Sequence, residues 1–228
     1  MIEVCSDLAV DAARQQLADN GFAQLAPFLS PSSAAQLAAE LAAEKDWDLA
    51  VTGRSGPLAI SATELREMPA AQQAAIAENL RRQARAGFSF SYMRRDVLPA
   101  EVTFCAAWAQ WLAAPESLAF WQTLTGNTDL KRADAHACLY RPGHFLRTHD
   151  DTYSGKERRF AYVMNLTQEW EPDWGGLLHF VRDGVSHGAL TPSFNGLNIF
   201  RVPQDHFVSQ VASYARQGRY SITGWLFE

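Results

Sequence analysis

Apolar positions along this 228-residue chain change their period near Asp134, and the change divides the sequence into two textures. In the first, apolar residues recur at helical spacing. Ser30-Pro31 places a capping hydroxyl before a proline, a favourable helix start, and an Ala-rich run follows to about Lys45 with Leu37 and Leu41 on one face. Ser61 and Glu64 fit a capping box. A helical run over residues 70–86 stops at Gly87, and two more helices are expected over 102–112 and 116–126. In the second texture, runs rich in β-formers alternate with Gly, Pro and Asn breaks: 135–140, 145–151, 159–166, 177–181, 197–202, 206–211 and 219–227. Strands this short and close together predict a sandwich or barrel. No strand–helix alternation points to a parallel sheet, and no repeat or linker interrupts the chain. The expected organisation is one α+β domain over 1–228: residues 1–130 a mainly helical support, residues 131–228 a β core carrying the chemistry.

Composition narrows the classes. Hydrophobic residues make up 47% of the chain, enough for a sizeable core, and 20% are charged. The net charge of −5 argues against broad binding to nucleic acid, which needs clustered Lys and Arg. Arg94-Arg95 and Arg158-Arg159 remain candidates for a local basic groove. Cys5, Cys105 and Cys138 are scattered, with no CxxC pair, which fits a reducing compartment. Residues 1–11 carry Glu3 and Asp7 and show no basic start followed by an apolar run, and no span of about 18 apolar residues suggests a membrane crossing. The expectation is a cytoplasmic protein with no membrane or general nucleic-acid partner.

The chemistry gathers in the second half. On a strand, His149 and Asp151 would face one side and Asp150 the other. Imidazole and carboxylate are two of the three ligands in a 2-His-1-carboxylate triad, which leaves positions open on a non-haem Fe(II). A lone His-x-Asp also arises by chance. His206, on a later strand, supplies a third ligand type, and Arg219 opens a strand whose parity puts Ser221, Thr223 and Trp225 on its own face. An Arg turned into a barrel needs an anionic partner, because an unpaired buried charge is costly. A dicarboxylate would satisfy it through two parallel hydrogen bonds, and Ser221 could add another. His136 and Asp134 share parity with Tyr140, so His136 is either a pocket residue or a satisfied interior histidine. His144, His179 and His187 lack partners at ligand spacing and read as surface or turn residues. Gly175-Gly176 reads as a tight turn or bulge.

The order His-x-Asp, His, Arg, each in a β context, resembles the 2-oxoglutarate oxygenase domain of the prolyl-hydroxylase superfamily. The matching pieces are Tyr140-Arg141-Pro142-Gly143, Phe145 to Asp151, Tyr162-Val163-Met164-Asn165, Trp174-Gly175-Gly176-Leu177-Leu178, Pro192 with Asn195, and Arg219 to Trp225. Gly87 to Tyr92 and the Leu124-Thr125-Gly126 turn match more loosely. Within the superfamily the sequence is most similar to the hypoxia-sensing and ribosomal prolyl hydroxylases and their bacterial relatives. It departs from the hypoxia type at Val163, where those enzymes place a second pocket tyrosine; Tyr162 is one residue out of phase and should face the other way.

The resemblance implies a double-stranded β-helix (jelly roll, cupin-like) fold. It implies Fe(II) held by His149, Asp151 and His206, and 2-oxoglutarate held by Arg219, Tyr140 and Ser221. It further implies O2 as oxidant, ascorbate as a support of activity, and succinate and CO2 as co-products. Trp225, Arg147, His136 and Tyr92 are assigned to the substrate pocket. The implied activity is hydroxylation of an unactivated C–H, chiefly on a prolyl residue of a protein or peptide such as a translation component. The alternatives are a free amino acid or small metabolite as substrate, or a module that senses oxygen or 2-oxoglutarate on the same fold.

Overall fold

The computed structural model describes residues 1–53, 56–153 and 157–228. Six helices lie among them: α1 Val10–Asn20, α2 Pro31–Ala43, α3 Ala62–Glu67, α4 Ala70–Ala86, α5 Phe104–Ala113 and α6 Pro115–Thr125. Their ends follow from sequence chemistry. Ser30 Oγ accepts the Ser33 N–H ahead of Pro31 at the start of α2. Ser61 and Glu64 form a complete capping box on α3. Gly126 takes the left-handed conformation, φ 69°, that closes α6.

The described strands are β1 Phe22–Leu25, β2 Asp48–Thr52, β3 Pro57–Ile60, β4 Phe90–Asp96, β5 Arg132–Ala133, β6 His136–Tyr140, β7 Phe145–His149, β8 Arg158–Asn165, β9 Leu178–Arg182, β10 Val185–Leu190, β11 Gly196–Arg201, β12 His206–Val208 and β13 Arg219–Phe227. They form one antiparallel sheet in the order β1-β11-β8-β13-β6-β4-β7-β12-β9-β10, with β2 and β3 extending from β4 and β5 pairing β13. The sheet curls into a half-barrel, as the expected jelly-roll class requires. The first half is therefore not helical alone; it also supplies β1 to β4. β2 is buried on consecutive residues and so lacks the alternation that marks a half-buried strand.

Strand parity divides the interior. On β6, Ala137 and Leu139 turn outward to a large apolar cluster, whereas Cys138 and Tyr140 turn inward to a second one. On β8, Phe160, Tyr162 and Met164 face outward, and Ala161 and Val163 face inward. The outer cluster lies between sheet and helices and includes Leu37, Leu41, Trp108, Trp121 and Leu124. Tyr162 sits there, fully buried, its hydroxyl donating to the Asp134 carbonyl at 2.8 Å and accepting from Trp108 Nε1 at 3.3 Å. Among the described residues no helix is long and apolar enough to cross a membrane.

Candidate active site

The inner face opens into a cavity of about 930 Å³ that contains His149, Asp151 and His206. The antiparallel pair β7–β12 sets His149 directly opposite His206, with ring centroids 4.2 Å apart. Asp151 reaches the pair differently from the expectation. β7 ends at His149, and Asp151 lies beyond it with φ 63°, so a left-handed turn rather than strand parity brings its carboxylate round. Asp151 Oδ1 stands 3.1 Å from His149 Nε2, and Oδ2 stands 3.6 Å from His206 Nε2.

Both imidazoles are oriented by main chain. His149 Nδ1 contacts the Arg147 carbonyl at 3.1 Å, and His206 Nδ1 contacts the Gln204 carbonyl at 2.7 Å. Donation from Nδ1 leaves each Nε2 lone pair facing the other ligands. Burial, with the charge of His149, lowers the His206 pKa to about 4. Burial alone would raise Asp151, but the His149 hydrogen bond, both histidines and the Trp225 donor outweigh it and hold the carboxyl at about 2. At neutral pH the site therefore presents a charged carboxylate and a neutral His206, the forms a metal requires.

Arg219 is 2% exposed and lines the same cavity. Among the described residues its guanidinium makes one hydrogen bond, a long one of 3.5 Å from Nη2 to Asn165 Oδ1, while Nε and Nη1 are buried with no partner. The guanidinium carbon lies 5.5 Å from the Tyr140 ring centroid, and burial lowers its pKa. Tyr140 opposes Arg219 across β6–β13, and Ser221, 2% exposed, follows two residues on. Gly175 and Gly176, both left-handed, let the chain pass behind: a Cβ on Gly176 would lie 3.2 Å from Val211 and 3.5 Å from the Arg219 stem. Val163, not Tyr162, lines the cavity, in keeping with the phase shift noted above.

Tyr92, His136 and Trp225 also line the cavity; Arg147 does not. The β7–β12 register slips between His206 and Val208, so three residues of β7 span two of β12. This bulge turns Leu146 and His149 inward and leaves the Arg147 side chain exposed, correcting its assignment to the substrate pocket. Tyr92 stacks on Tyr140 at 5.2 Å. His136 stacks on Trp225 at 5.5 Å, is 3% exposed, and is kept neutral by burial and by the charge of Arg94, its pKa lowered to about 3. Trp225 also donates from Nε1 to Asp151 Oδ2 at 3.0 Å.

Arg158 had been singled out only as part of a basic pair. Its guanidinium lies 3.6 Å over the Trp225 ring, and Nη1 donates to the Asp151 carbonyl at 3.1 Å. Asn165 and Phe88 were not expected at the site either. Asn165 holds Arg219, and Phe88 places its ring 5.8 Å from that of His149. His144 is no plain surface residue: burial lowers its pKa to about 4, and its Nδ1 accepts the Arg141 N–H.

These residues fit Fe(II) and 2-oxoglutarate. The donor set is two imidazoles and one carboxylate converging on one point, the set that suits a non-haem Fe(II). The two orphaned Arg219 nitrogens call for an anion, and a carboxylate is the planar, bidentate one.

Such a curled antiparallel sheet, with a facial triad and a buried arginine in its mouth, has the donor set and the anion site that an iron- and 2-oxoacid-dependent oxygenase needs. Residues 135–227 match the family model of the 2OG-Fe(II) oxygenase superfamily. Over 122 residues the chain is 32% identical to prolyl 3-hydroxylase OGFOD1 of Mus musculus, a match covering 49% of this chain and 22% of that protein. The Xenopus laevis protein of the same name is 32% identical over 114 residues, 46% of this chain and 22% of that one. The match thus spans about a fifth of these curated relatives. The fold is shared with a prolyl-4-hydroxylase from Pseudomonas putida, with TM-score 0.63 and 23% identity over 96% of this chain and 98% of that one. It is shared too with a Trichoplax adhaerens prolyl hydroxylase solved with a hypoxia inducible factor peptide fragment, with TM-score 0.65 and 17% identity over 96% and 88% of the two chains.

Proposed function

We propose that this protein hydroxylates a prolyl residue of a protein or peptide, such as a translation component, consuming 2-oxoglutarate and O2 and releasing succinate and CO2. The observation that carries the oxygenase part is the orphaned Arg219 guanidinium in the same cavity as the His149–Asp151–His206 set. The prolyl part draws support from the 32% identity to prolyl 3-hydroxylases. A polypeptide also suits the cavity mouth, where Leu58, Phe88 and Tyr153 line the opening and are 52%, 49% and 61% exposed. Apolar surface of this kind, exposed around an opening, suits contact with a partner chain.

Bound there, the iron supplies the oxidising power for an unactivated C–H. The chain supplies the rest. His149, Asp151 and His206 are the residues that would hold the ion. Arg219, with Ser221 and Tyr140, fixes the distal carboxylate of the co-substrate and so sets the reach of its keto acid end towards the triad. The walls of Val163, Phe200, Val208 and Leu178 exclude water from that end. The same architecture could sense oxygen or 2-oxoglutarate without turnover, but a full ligand set and an intact carboxylate clamp favour catalysis.

The test is incubation with Fe(II), ascorbate, 2-oxoglutarate and air, together with a proline-containing peptide pool drawn from translation factors. Succinate formation stimulated by a peptide that gains one oxygen at proline is the expected result. Stimulation by free amino acids or small metabolites alone would replace the prolyl substrate with the small-molecule alternative.

A further inference from the structure

Asp151 is an unusual ligand because its backbone occupies the left-handed region at φ 63°, where a non-glycine residue stays only if its surroundings hold it. Two side chains from separate strands do so. Trp225, on β13, donates from Nε1 to Asp151 Oδ2 at 3.0 Å. Arg158, on β8, donates from Nη1 to the Asp151 main-chain carbonyl at 3.1 Å. The two are themselves joined, with the Arg158 guanidinium 3.6 Å over the Trp225 indole. On the same indole, the His136 ring stacks at 5.5 Å, inclined by 29°. The ring is therefore tied to both neighbouring groups, and the direction of its N–H is fixed.

This arrangement gives the carboxylate an asymmetry. Oδ2 is engaged by an indole that has no acceptor capacity and cannot release the proton it donates. Oδ1 lies 3.1 Å from Nε2 of His149, its fellow ligand, and among the described residues no indole or other neutral side chain donates to it. We propose that Trp225, braced by Arg158 and His136, is a positioning residue that holds Asp151 through Oδ2 and so presents Oδ1 as the single carboxylate oxygen for the metal. A one-oxygen carboxylate leaves an additional position on the ion for co-substrate and oxygen, which a two-oxygen grip would occupy. The inference rests on the proposed function, since it assigns a role towards the metal of that site. It gives Trp225 a task in addition to facing substrate at the mouth.

The test is Trp225→Phe, which keeps an aromatic ring between Arg158 and His136 and removes the indole N–H together with the pyrrole ring that carries it. The readout is Co(II) binding to the purified chain, followed by titration and by the visible absorption of the bound ion, with no turnover involved. The expected result is about a ten- to a hundred-fold weaker Co(II) affinity and a changed Co(II) band pattern, as loss of an outer hydrogen bond to a ligand produces. An affinity and a spectrum equal to the parent would overturn the proposal. Should Trp225→Phe lower the thermal midpoint of the metal-free chain, Arg158→Met serves as the second variant, since it leaves the indole in place and cuts the other tie to Asp151. The same weakened binding there supports the clamp, and unchanged binding removes it. If the parent binds Co(II) but never consumes 2-oxoglutarate, the proposed function fails while the clamp is judged on the metal readout alone.

Discussion

The two faces of the central strands are built from alternate residues of the same sequence, yet they obey opposite rules. Outward, Leu139, Tyr162, Met164, Ile199 and Ile222 meet the helices in an apolar cluster, where the Tyr162 hydroxyl is paired with Asp134 and Trp108. Inward, one residue along each strand, Tyr140, Val163 and Ser221 border a cavity in which a buried guanidinium keeps two nitrogens unpaired. One face is finished by folding. The other is left incomplete, at a cost in stability, and its missing partner is a ligand.

Substitutions on the two faces should therefore separate stability from chemistry. Asp151→Ala is expected to reduce 2-oxoglutarate turnover to background in a succinate assay while the thermal midpoint stays near that of the parent; retained turnover would remove Asp151 from the ligand set. On the outer face, Trp108→Ala should lower the unfolding free energy by about 3–5 kcal/mol in a denaturant titration and leave 2-oxoglutarate affinity unchanged in the protein that remains folded. Arg219→Met should do the reverse. It is expected to weaken 2-oxoglutarate binding by about 2–5 kcal/mol in a calorimetric titration. It should also leave the free protein as stable as before or raise its thermal midpoint, because an unpaired buried charge is gone. A fall in midpoint together with unchanged affinity would erase the contrast between the faces.

Acid sharpens the comparison further. Burial lowers the pKa of His136 to about 3 and of His144 and His206 to about 4, so the folded chain resists protons that the unfolded chain takes up below about 6.5. The sign is fixed: a depressed histidine costs stability as pH falls from about 6.5 towards the folded value, on the order of 1.4 kcal/mol per pH unit for each. Asp151, held at about 2, adds its own loss only below about 3.8. The metal-free protein should lose stability progressively between pH 6.5 and 4 in denaturant titrations, and a flat profile there would contradict the buried neutral histidines. The smallest effect is expected from Tyr162→Phe, a loss of about 1 kcal/mol for the hydrogen bond to Asp134.

Period-two logic made the inner face legible in the sequence. It placed Tyr140, Arg219, Ser221 and Trp225 on one side, sent Tyr162 to the other, and left Val163 at the pocket, where the structure has them. Local capping chemistry likewise marked the starts of α2 and α3. What parity could not supply were its own interruptions. The bulge in β7, set by its pairing with the distant β12, turned Arg147 outward, and the left-handed turn at Asp151 ended the strand two residues early. Arg158 was legible only as half of a basic pair, because its contacts are with Trp225, 67 positions along the sequence, and with the carbonyl of Asp151. Of the strands in the first half that escaped, β1 and β3 are four residues long, and β2 is buried on consecutive residues without alternation. The tertiary pairing that makes them strands leaves no local signature.

The most direct test of the central claim is an anaerobic titration of 2-oxoglutarate into Fe(II)-loaded protein, parent beside Arg219→Met. Saturable one-site binding in the parent, weakened by at least about thirty-fold in the variant, with the same Fe(II) content in both, is the predicted result. Equal binding by the two proteins, or none by either, would contradict the assignment of Arg219 and its cavity to the co-substrate.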